Sequence, residues 1–247
     1  MDAANRGRVR VERSAKRVRT LFGGRVVADT TRALLVWEAP YYPTYYFPLE
    51  DVAEAVLRPE GTTRHSPSRG DGEVHTVSSG GVEAAGAALV YAESPLEPIR
   101  GHVRFGWDAM EAWFEEDEEV FVHARDPYTR VDVLPSSRHV RVEVDGVTVA
   151  DSRSPRILFE TGLPARFYLP KTDVRLDLLR HTETVTHCPY KGTAEYWSVG
   201  GHEDLAWSYP RPLAESQRIA GLVSFYNEKV DVYVDGVLQE RPKTKFA

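Results

Sequence analysis

The sequence predicts an all-β protein, mainly β with one or two short helices, that consists of two tandem copies of one domain. Two observations carry this prediction. The chain repeats itself at a spacing of 122 residues, and each copy is a series of short segments rich in β-branched and aromatic residues, separated by turn residues. At 247 residues, the chain is long enough for each copy to bury a core of its own.

The repeat aligns Gly24–Val77 with Gly146–Val199 without a gap, and 17 of these 54 pairs are identical. The identical pairs include three short patterns: Val27-Ala28-Asp29 with Val149-Ala150-Asp151, Tyr46-x-Pro48-x-x-Asp51 with Tyr168-x-Pro170-x-x-Asp173, and His65-x-Pro67-x-x-Gly70 with His187-x-Pro189-x-x-Gly192. The repeat predicts four segments: a flexible basic arm over residues 1–16, copy one over 17–125, a short connector over 126–136 and copy two over 137–247.

The clearest element is a hairpin in copy two, because two alternating segments, His139–Val144 and Val147–Ala150, flank the turn dipeptide Asp145-Gly146. Gly23-Gly24 takes the same place in copy one. Further strands are predicted at five segments: Arg156–Phe159, Arg166–Leu169, Tyr196–Val199, Gly221–Tyr226 and Val230–Val234.

One helix is predicted, over Trp107–Glu118. Four apolar side chains recur there at helical spacing: Trp107, Met110, Trp113 and Phe114.

Composition and charge exclude several classes of protein. The net charge of −6 argues against a general nucleic-acid binder, although residues 6–19 carry seven basic side chains, and no apolar run reaches the ~20 residues of a membrane helix. The first residues lack the apolar core of a signal peptide, so we expect a cytoplasmic protein. The single cysteine, Cys188, excludes internal disulfides and paired-cysteine zinc sites, and we expect no metal or cofactor.

Copy two contains the segment Thr186-His187-Cys188-Pro189-Tyr190-Lys191-Gly192-Thr193-Ala194-Glu195-Tyr196-Trp197. It resembles the signature of the DUF427 family, also called the nucleotidyltransferase-9 domain family. The resemblance continues in Asp204–Pro210, Ile219–Val223 and Phe225–Gly236, and covers nearly the whole chain in a tandem form. It implies two compact all-β domains of the Mss4-like, β-tent kind. The family label implies a nucleotidyl-transfer activity as one alternative, but the chain has no Gly-rich phosphate loop.

The candidate catalytic residues lie in this segment. A cation favours the thiolate form of a cysteine, and Lys191 follows Cys188 by three residues, across a turn that Pro189 and Gly192 favour. Glu195 could orient Lys191 or act as a base, and His187 could move a proton. The alternative is that Cys188 is a small buried apolar residue, that Lys191 is a surface cation, and that the segment serves packing.

The two copies differ at this turn. Copy one has Ser66, Ser68, Arg69 and His75 where copy two has Cys188, Tyr190, Lys191 and Trp197. Because His65, Pro67, Gly70 and Glu73 persist in both copies, we interpret them as structural and expect copy two to carry the functional site.

Aromatic side chains cluster in the segments that flank the turn: Tyr190, Tyr196, Trp197, Trp207, Tyr209 and Tyr226. Such rings could wall a pocket for a planar ring or a cation, with Asn227 as a further polar group, or could be core. Copy one has a different aromatic run, Trp37–Phe47. Its consecutive tyrosines cannot all point inward from one strand, so the run is the predicted interface of a homo-oligomer.

Three functions are compatible with these features. The first is a binding module for an unknown small molecule, in which Lys191 meets an anionic or carbonyl group. The second is an enzyme with Cys188 or Lys191 as nucleophile. The third is a structural or interaction protein.

Overall fold

The computed structural model describes residues 9–244, and its contacts divide the chain into two units, residues 1–126 and 127–247. Strands dominate both units, and every helix among residues 9–244 is a short 3-10 helix, so the predicted all-β class is confirmed. None of these helices is long and apolar enough to cross a membrane.

Unit one folds into two antiparallel sheets. Its strands are β1 (Arg10–Arg13), β2 (Val18–Phe22), β3 (Arg25–Thr30), β4 (Leu34–Ala39), β5 (Tyr42–Pro48), β6 (Leu57–Ser66), β7 (Gly70–Ser79), β8 (Val82–Tyr91), β9 (His102–Phe105), β10 (Ala112–Glu115) and β11 (Glu118–Glu119). Its 3-10 helices are Leu49–Asp51, Glu97–Ile99 and Trp107–Ala109. The large sheet has the order β1-β4-β5-β9-β8-β7-β6, and the small sheet has the order β11-β10-β2-β3.

Unit two has the same number of strands among its described residues. They are β12 (Val131–Pro135), β13 (Val140–Val144), β14 (Val147–Ser152), β15 (Arg156–Glu160), β16 (Arg166–Tyr168), β17 (Leu179–Cys188), β18 (Gly192–Val199), β19 (His202–Ser208), β20 (Val223–Phe225), β21 (Asp231–Val234) and β22 (Val237–Leu238). Its 3-10 helices are Lys171–Asp173, Leu176–Leu178 and Ala214–Ile219. The sheet orders are β12-β15-β16, β17-β18-β19-β20 and β14-β13-β21-β22.

The units match strand for strand. Backbone hydrogen bonds between Leu169 and Val223, in both directions at 2.8 and 2.9 Å, join β16 to β20. The first two sheets of unit two thereby form the run β12-β15-β16-β20-β19-β18-β17, which repeats the order of the large sheet of unit one. The tandem form predicted from the repeat is confirmed.

Both predicted linking segments contribute a strand. Within the segment expected to be a flexible arm, Arg10–Arg13 pairs with β4, and residues 1–8 lie outside the described part of the chain. Within the expected connector, Val131–Pro135 pairs with β15. Both segments are ordered for the same physical reason. Each adds a strand to an otherwise open sheet edge, whose backbone groups thereby gain a row of hydrogen bonds.

The predicted hairpin is present as β13 and β14. Asp145 and Gly146 have φ values of 51° and 77°, and Gly23 and Gly24 have 61° and 68° at the same place in unit one. Both turns therefore use the left-handed conformations that close a two-residue hairpin.

The helix predicted over Trp107–Glu118 is wrong. Trp107–Ala109 forms one 3-10 turn, and β10 then pairs with β2 along its length. Burial alternates along β10, with Trp113 and Glu115 inside, which is the period of a strand. Trp113 stacks on Trp107 at 4.6 Å between ring centroids. The aromatic spacing that suggested a helix therefore brings these two rings together across the turn.

Each large sheet is covered by apolar side chains on both faces. In the Trp37–Phe47 run, Tyr45 and Phe47 pack in one cluster of unit one, and Tyr46 packs in the other. The expectation that consecutive rings must leave the core therefore does not apply to these three. Tyr41 and Tyr42 are exposed by 76% and 37%, so the predicted homo-oligomer interface stays a prediction that concerns these two rings.

Two turns of unit one meet at Gly23 and Gly80, which gives a test of the fold. A Cβ on Gly80 would lie 2.0 Å from the carbonyl oxygen of Gly23, whereas a Cβ on Gly81 would meet nothing within 4 Å. Both glycines have positive φ. We expect Gly80→Ala to lower the free energy of unfolding by about 2 kcal/mol more than Gly81→Ala, measured by denaturant titration. Equal losses would contradict this packing of the turns.

Candidate functional site

The Cys-Pro-Tyr-Lys-Gly motif forms the turn between β17 and β18. Gly192 has a φ of 99°, and a Cβ there would lie 3.3 Å from the carbonyl oxygen of Arg211, so the position favours glycine. The Leu213 N–H donates to the Lys191 carbonyl at 3.1 Å. The turn is thereby held against residues 211–213, and Lys191 lies at its end.

Lys191 forms a buried ion pair. Its Nζ donates to Oε2 of Glu160 at 2.5 Å, and the two side chains are exposed by only 11% and 9%. Glu160 is the last residue of β15. A buried cation is stabilised by such a carboxylate, which also fixes the position of the ammonium group.

The ion pair adjoins an aromatic cluster. Its buried rings are Tyr168, Tyr196, Trp207 and Tyr209, and Cys188 and Tyr226 pack against them. Nε1 of Trp207 donates to the Tyr168 hydroxyl at 3.1 Å. The Tyr196 hydroxyl shares a hydrogen bond with Thr186 Oγ1 at 2.8 Å, whereas the Tyr209 hydroxyl has no hydrogen-bond partner among residues 9–244.

A second buried ion pair borders this cluster. Arg166 donates to both carboxylate oxygens of Glu228, at 2.5 and 2.6 Å, and also to Oδ1 of Asn227. Its guanidinium lies 5.6 Å from the Trp207 ring and 5.9 Å from the Tyr226 ring. The Asn227 side chain therefore accepts a hydrogen bond from Arg166 and belongs to this second ion pair.

The structure brings together seven of the residues singled out from the sequence. On the side of the aromatic cluster lie Cys188, Lys191, Tyr196, Trp207, Tyr209, Tyr226 and Asn227. Tyr190 is half-buried in the turn, and its carbonyl accepts from Ser216 Oγ at 3.1 Å.

Three predicted site residues lie elsewhere. His187 is exposed and shares a hydrogen bond with Thr193 at 2.9 Å. Glu195 lies 3.8 Å from the Lys171 ammonium and 4.0 Å from the His181 ring, and Trp197 packs against the other core of unit two. Because neighbours on a strand face opposite ways, Glu195 and Trp197 point away from Tyr196. Glu160, and not Glu195, forms the ion pair with Lys191.

Sequence reasoning missed Glu160 and Tyr168. A signal was present, since Glu38 with Glu160 and Tyr46 with Tyr168 are identical pairs of the aligned repeat.

Unit one holds an equivalent charge cluster. Oε1 of Glu38 forms ion pairs with Arg69 at 2.7 Å and with Arg104 at 3.2 Å, and it accepts a hydrogen bond from the Tyr46 hydroxyl at 2.6 Å. Arg69 also donates to the Tyr46 hydroxyl at 3.0 Å. Arg69 is the counterpart of Lys191, so the cation at this turn is common to both copies.

One cross-strand pair that differs between the copies involves Arg104, a partner of Glu38. Leu89 lies opposite Arg104 in unit one, and Trp207 lies opposite Ser224 at the same place in unit two. The larger side chain of the pair is therefore Arg104 on β9 in unit one and Trp207 on β19 in unit two. Because Ser224 replaces Arg104, unit two has no second cation at this place beside Glu160. In the described part of the chain, Lys191 is the one side chain found to donate to Glu160.

Burial raises the pKa of the phenol groups of the cluster. The pKa of Tyr168 lies well above its usual range because of burial and the nearby Glu160 carboxylate, although the bond from Trp207 opposes this shift. Burial likewise raises the pKa of Tyr209 and of Tyr226. These hydroxyls therefore remain protonated donors. Among residues 9–244 there is no group of three His, Cys, Asp or Glu side chains placed to hold a metal ion.

Comparison with known families shows where the chain belongs. A family model described as a domain of unknown function, DUF427, matches residues 10–116 and again residues 132–236. No curated protein matches the chain.

The raised pKa of Tyr209 gives a prediction for alkaline pH. The folded state keeps this proton while the unfolded state loses it near a pKa of about 10, so stability is complete below that pH and falls above it. We expect Tyr209→Phe to flatten the fall by about 1.4 kcal/mol per pH unit, with little effect at pH 7 because the hydroxyl has no partner. Denaturant unfolding between pH 7 and 11 measures both. An unchanged slope would contradict the assignment.

Proposed function

The chain belongs to the DUF427 family, a domain of unknown function, in two tandem copies, and from this premise we propose that it is a small-molecule-binding protein. The proposed site is the Lys191–Glu160 pair of unit two with its aromatic cluster. The proposed ligand is a planar heterocycle that carries a ring carbonyl next to a ring N–H.

The observation that carries the proposal is hydrogen-bonding capacity that the protein leaves unused. Glu160 has one polar side-chain partner in the described part of the chain, Lys191 at Oε2, whereas Glu38 has three, all at Oε1. The Lys191 ammonium has two N–H groups beyond the one that binds Glu160. The Tyr209 hydroxyl is also unpartnered among residues 9–244.

These groups complement the edge of a heterocycle. A ring carbonyl would accept from Lys191, and the adjacent ring N–H would donate to Glu160. The rings of Trp207 and Tyr226 pack on each other, 4.5 Å apart between centroids, and make the surroundings of the ion pair apolar. A ligand that pairs buried polar groups gains affinity and selectivity, because an analogue without those groups leaves them unpaired.

The same contacts argue against a lysine or cysteine nucleophile. An amine attacks through its lone pair, but Lys191 donates to a carboxylate as an ammonium ion. Glu160 also offsets the positive charge that would stabilise a thiolate at Cys188. Binding therefore has better support than covalent catalysis.

Titration calorimetry with simple heterocycles tests the proposal. The probes are uracil, hypoxanthine and 1,3-dimethyluracil, which keeps the carbonyls but lacks ring N–H donors. We expect at least one of the first two to bind and dimethyluracil to fail. Lys191→Met and Glu160→Gln each remove a charged hydrogen bond of about 1.5–3 kcal/mol, so binding should weaken by about 10- to 150-fold.

The chain supplies matched controls. Arg69→Met and Glu38→Gln alter the equivalent pair in unit one and should leave binding unchanged. The double variant with Lys191→Met and Glu160→Gln keeps the site neutral, and a normal melting curve for it separates lost binding from lost folding. Failure of both N–H probes, or equal binding to wild type and Lys191→Met, would refute the proposed site.

A further inference from the structure

Unit one contains a cleft that the Lys191 site does not involve. Its volume is about 640 Å³, within the usual range for small-molecule sites. The end of β1, the start of β4, the Leu49–Asp51 turn and the segment before β9 line it. These elements come from four places in the sequence, so the cleft is a product of the tertiary fold.

Two arginines in the lining have unused donors. Arg13 is exposed and has no side-chain partner among residues 9–244. Arg100 donates from Nε to the Ser94 carbonyl at 2.8 Å, which fixes the guanidinium and leaves its terminal NH₂ groups without a partner in the described chain. In contrast, Arg32 is neutralised by Glu50 and Asp51. The cleft therefore offers two free guanidinium groups.

The carboxylates of the lining, Glu12 and Glu50, are paired with Arg10 and Arg32. Apart from His102, the remaining lining residues are apolar or glycine. Leu34 is buried beneath the cleft, and Leu49 and Pro98 also line it. Guanidinium groups bind oxyanions in forked geometry, and apolar side chains favour a hydrocarbon body. Together they match a molecule with one anionic end and one apolar end.

This arrangement is not part of the duplicated framework. The positions of Arg13 and Arg100 hold Pro135 and Ala220 in copy two. The positions of the apolar Leu34 and Leu49 hold Arg156 and Lys171 instead. Since the same fold tolerates the opposite polarity at these places, the combination in unit one is not needed for folding.

We propose that this cleft binds a small organic anion, a phosphate monoester or a carboxylate with an apolar body. The oxyanion lies between Arg13 and Arg100, and the apolar body lies on Leu34 and Leu49. The site is independent of the Lys191 centre, so the two proposals can succeed or fail separately.

Calorimetric titration of the full chain with three probes tests the cleft. Phenyl phosphate and benzoate carry the two forms of oxyanion, and benzyl alcohol is the uncharged control. We expect saturable binding of at least one anion and none of benzyl alcohol. Arg13→Gln and Arg100→Gln should each raise the dissociation constant by roughly tenfold, and added salt should weaken binding.

Arg64→Gln is the matched control, because Arg64 is an exposed arginine on β6 of the same unit and its loss changes the net charge equally. Its dissociation constant should stay within about twofold of wild type. Lys191→Met should also bind the anions normally. Absence of saturable binding of both anions, equal binding of benzyl alcohol, or a loss with Arg64→Gln as large as with Arg13→Gln would overturn the proposal.

Discussion

A largely buried carboxylate requires a cation, and this requirement shapes the large sheet of each unit. Glu38 lies on β4, and Arg69 lies in the turn before β7, four strand spacings away in sheet order. In a flat sheet, spacings of about 4.8 Å would separate these strands by roughly 19 Å, which the two side chains cannot bridge. Their 2.7 Å contact therefore requires a strongly curled sheet whose concave face encloses the charges.

That curvature explains which parts of the site could be predicted from the sequence. Lys191 and Cys188 were found because a Pro-x-x-Gly turn and a nearby cation are local features. Glu160 was not found, because it precedes Lys191 by 31 residues and reaches it only through the curled sheet. Glu195 is nearer along the chain, but strand alternation turns it to the opposite face.

The fold shows the same division between local and long-range information. The Asp145-Gly146 hairpin follows from two residues and their flanks, and its prediction holds. Trp107–Glu118 has apolar spacing that suits a helix, but backbone pairing of β10 with β2, some ninety residues apart, makes it a turn and a strand. The burial of Tyr45, Tyr46 and Phe47 likewise depends on cover over both sheet faces, which sequence alternation within one strand does not reveal.

The exchange between strands β8 and β9 shows how one scaffold can hold two different sites. Leu89 and Arg104 become Trp207 and Ser224, so that total side-chain volume is roughly kept while the charge is lost. In unit one the arginine adds a second cation beside Oε1 of Glu38. In unit two the tryptophan instead donates a hydrogen bond to the Tyr168 hydroxyl. Glu160 accepts from Lys191 through Oε2, so its other oxygen can still accept a hydrogen bond. Because the exchange roughly keeps side-chain volume, the two copies can differ in the partners of this carboxylate while both keep its ion pair with the cation of the turn.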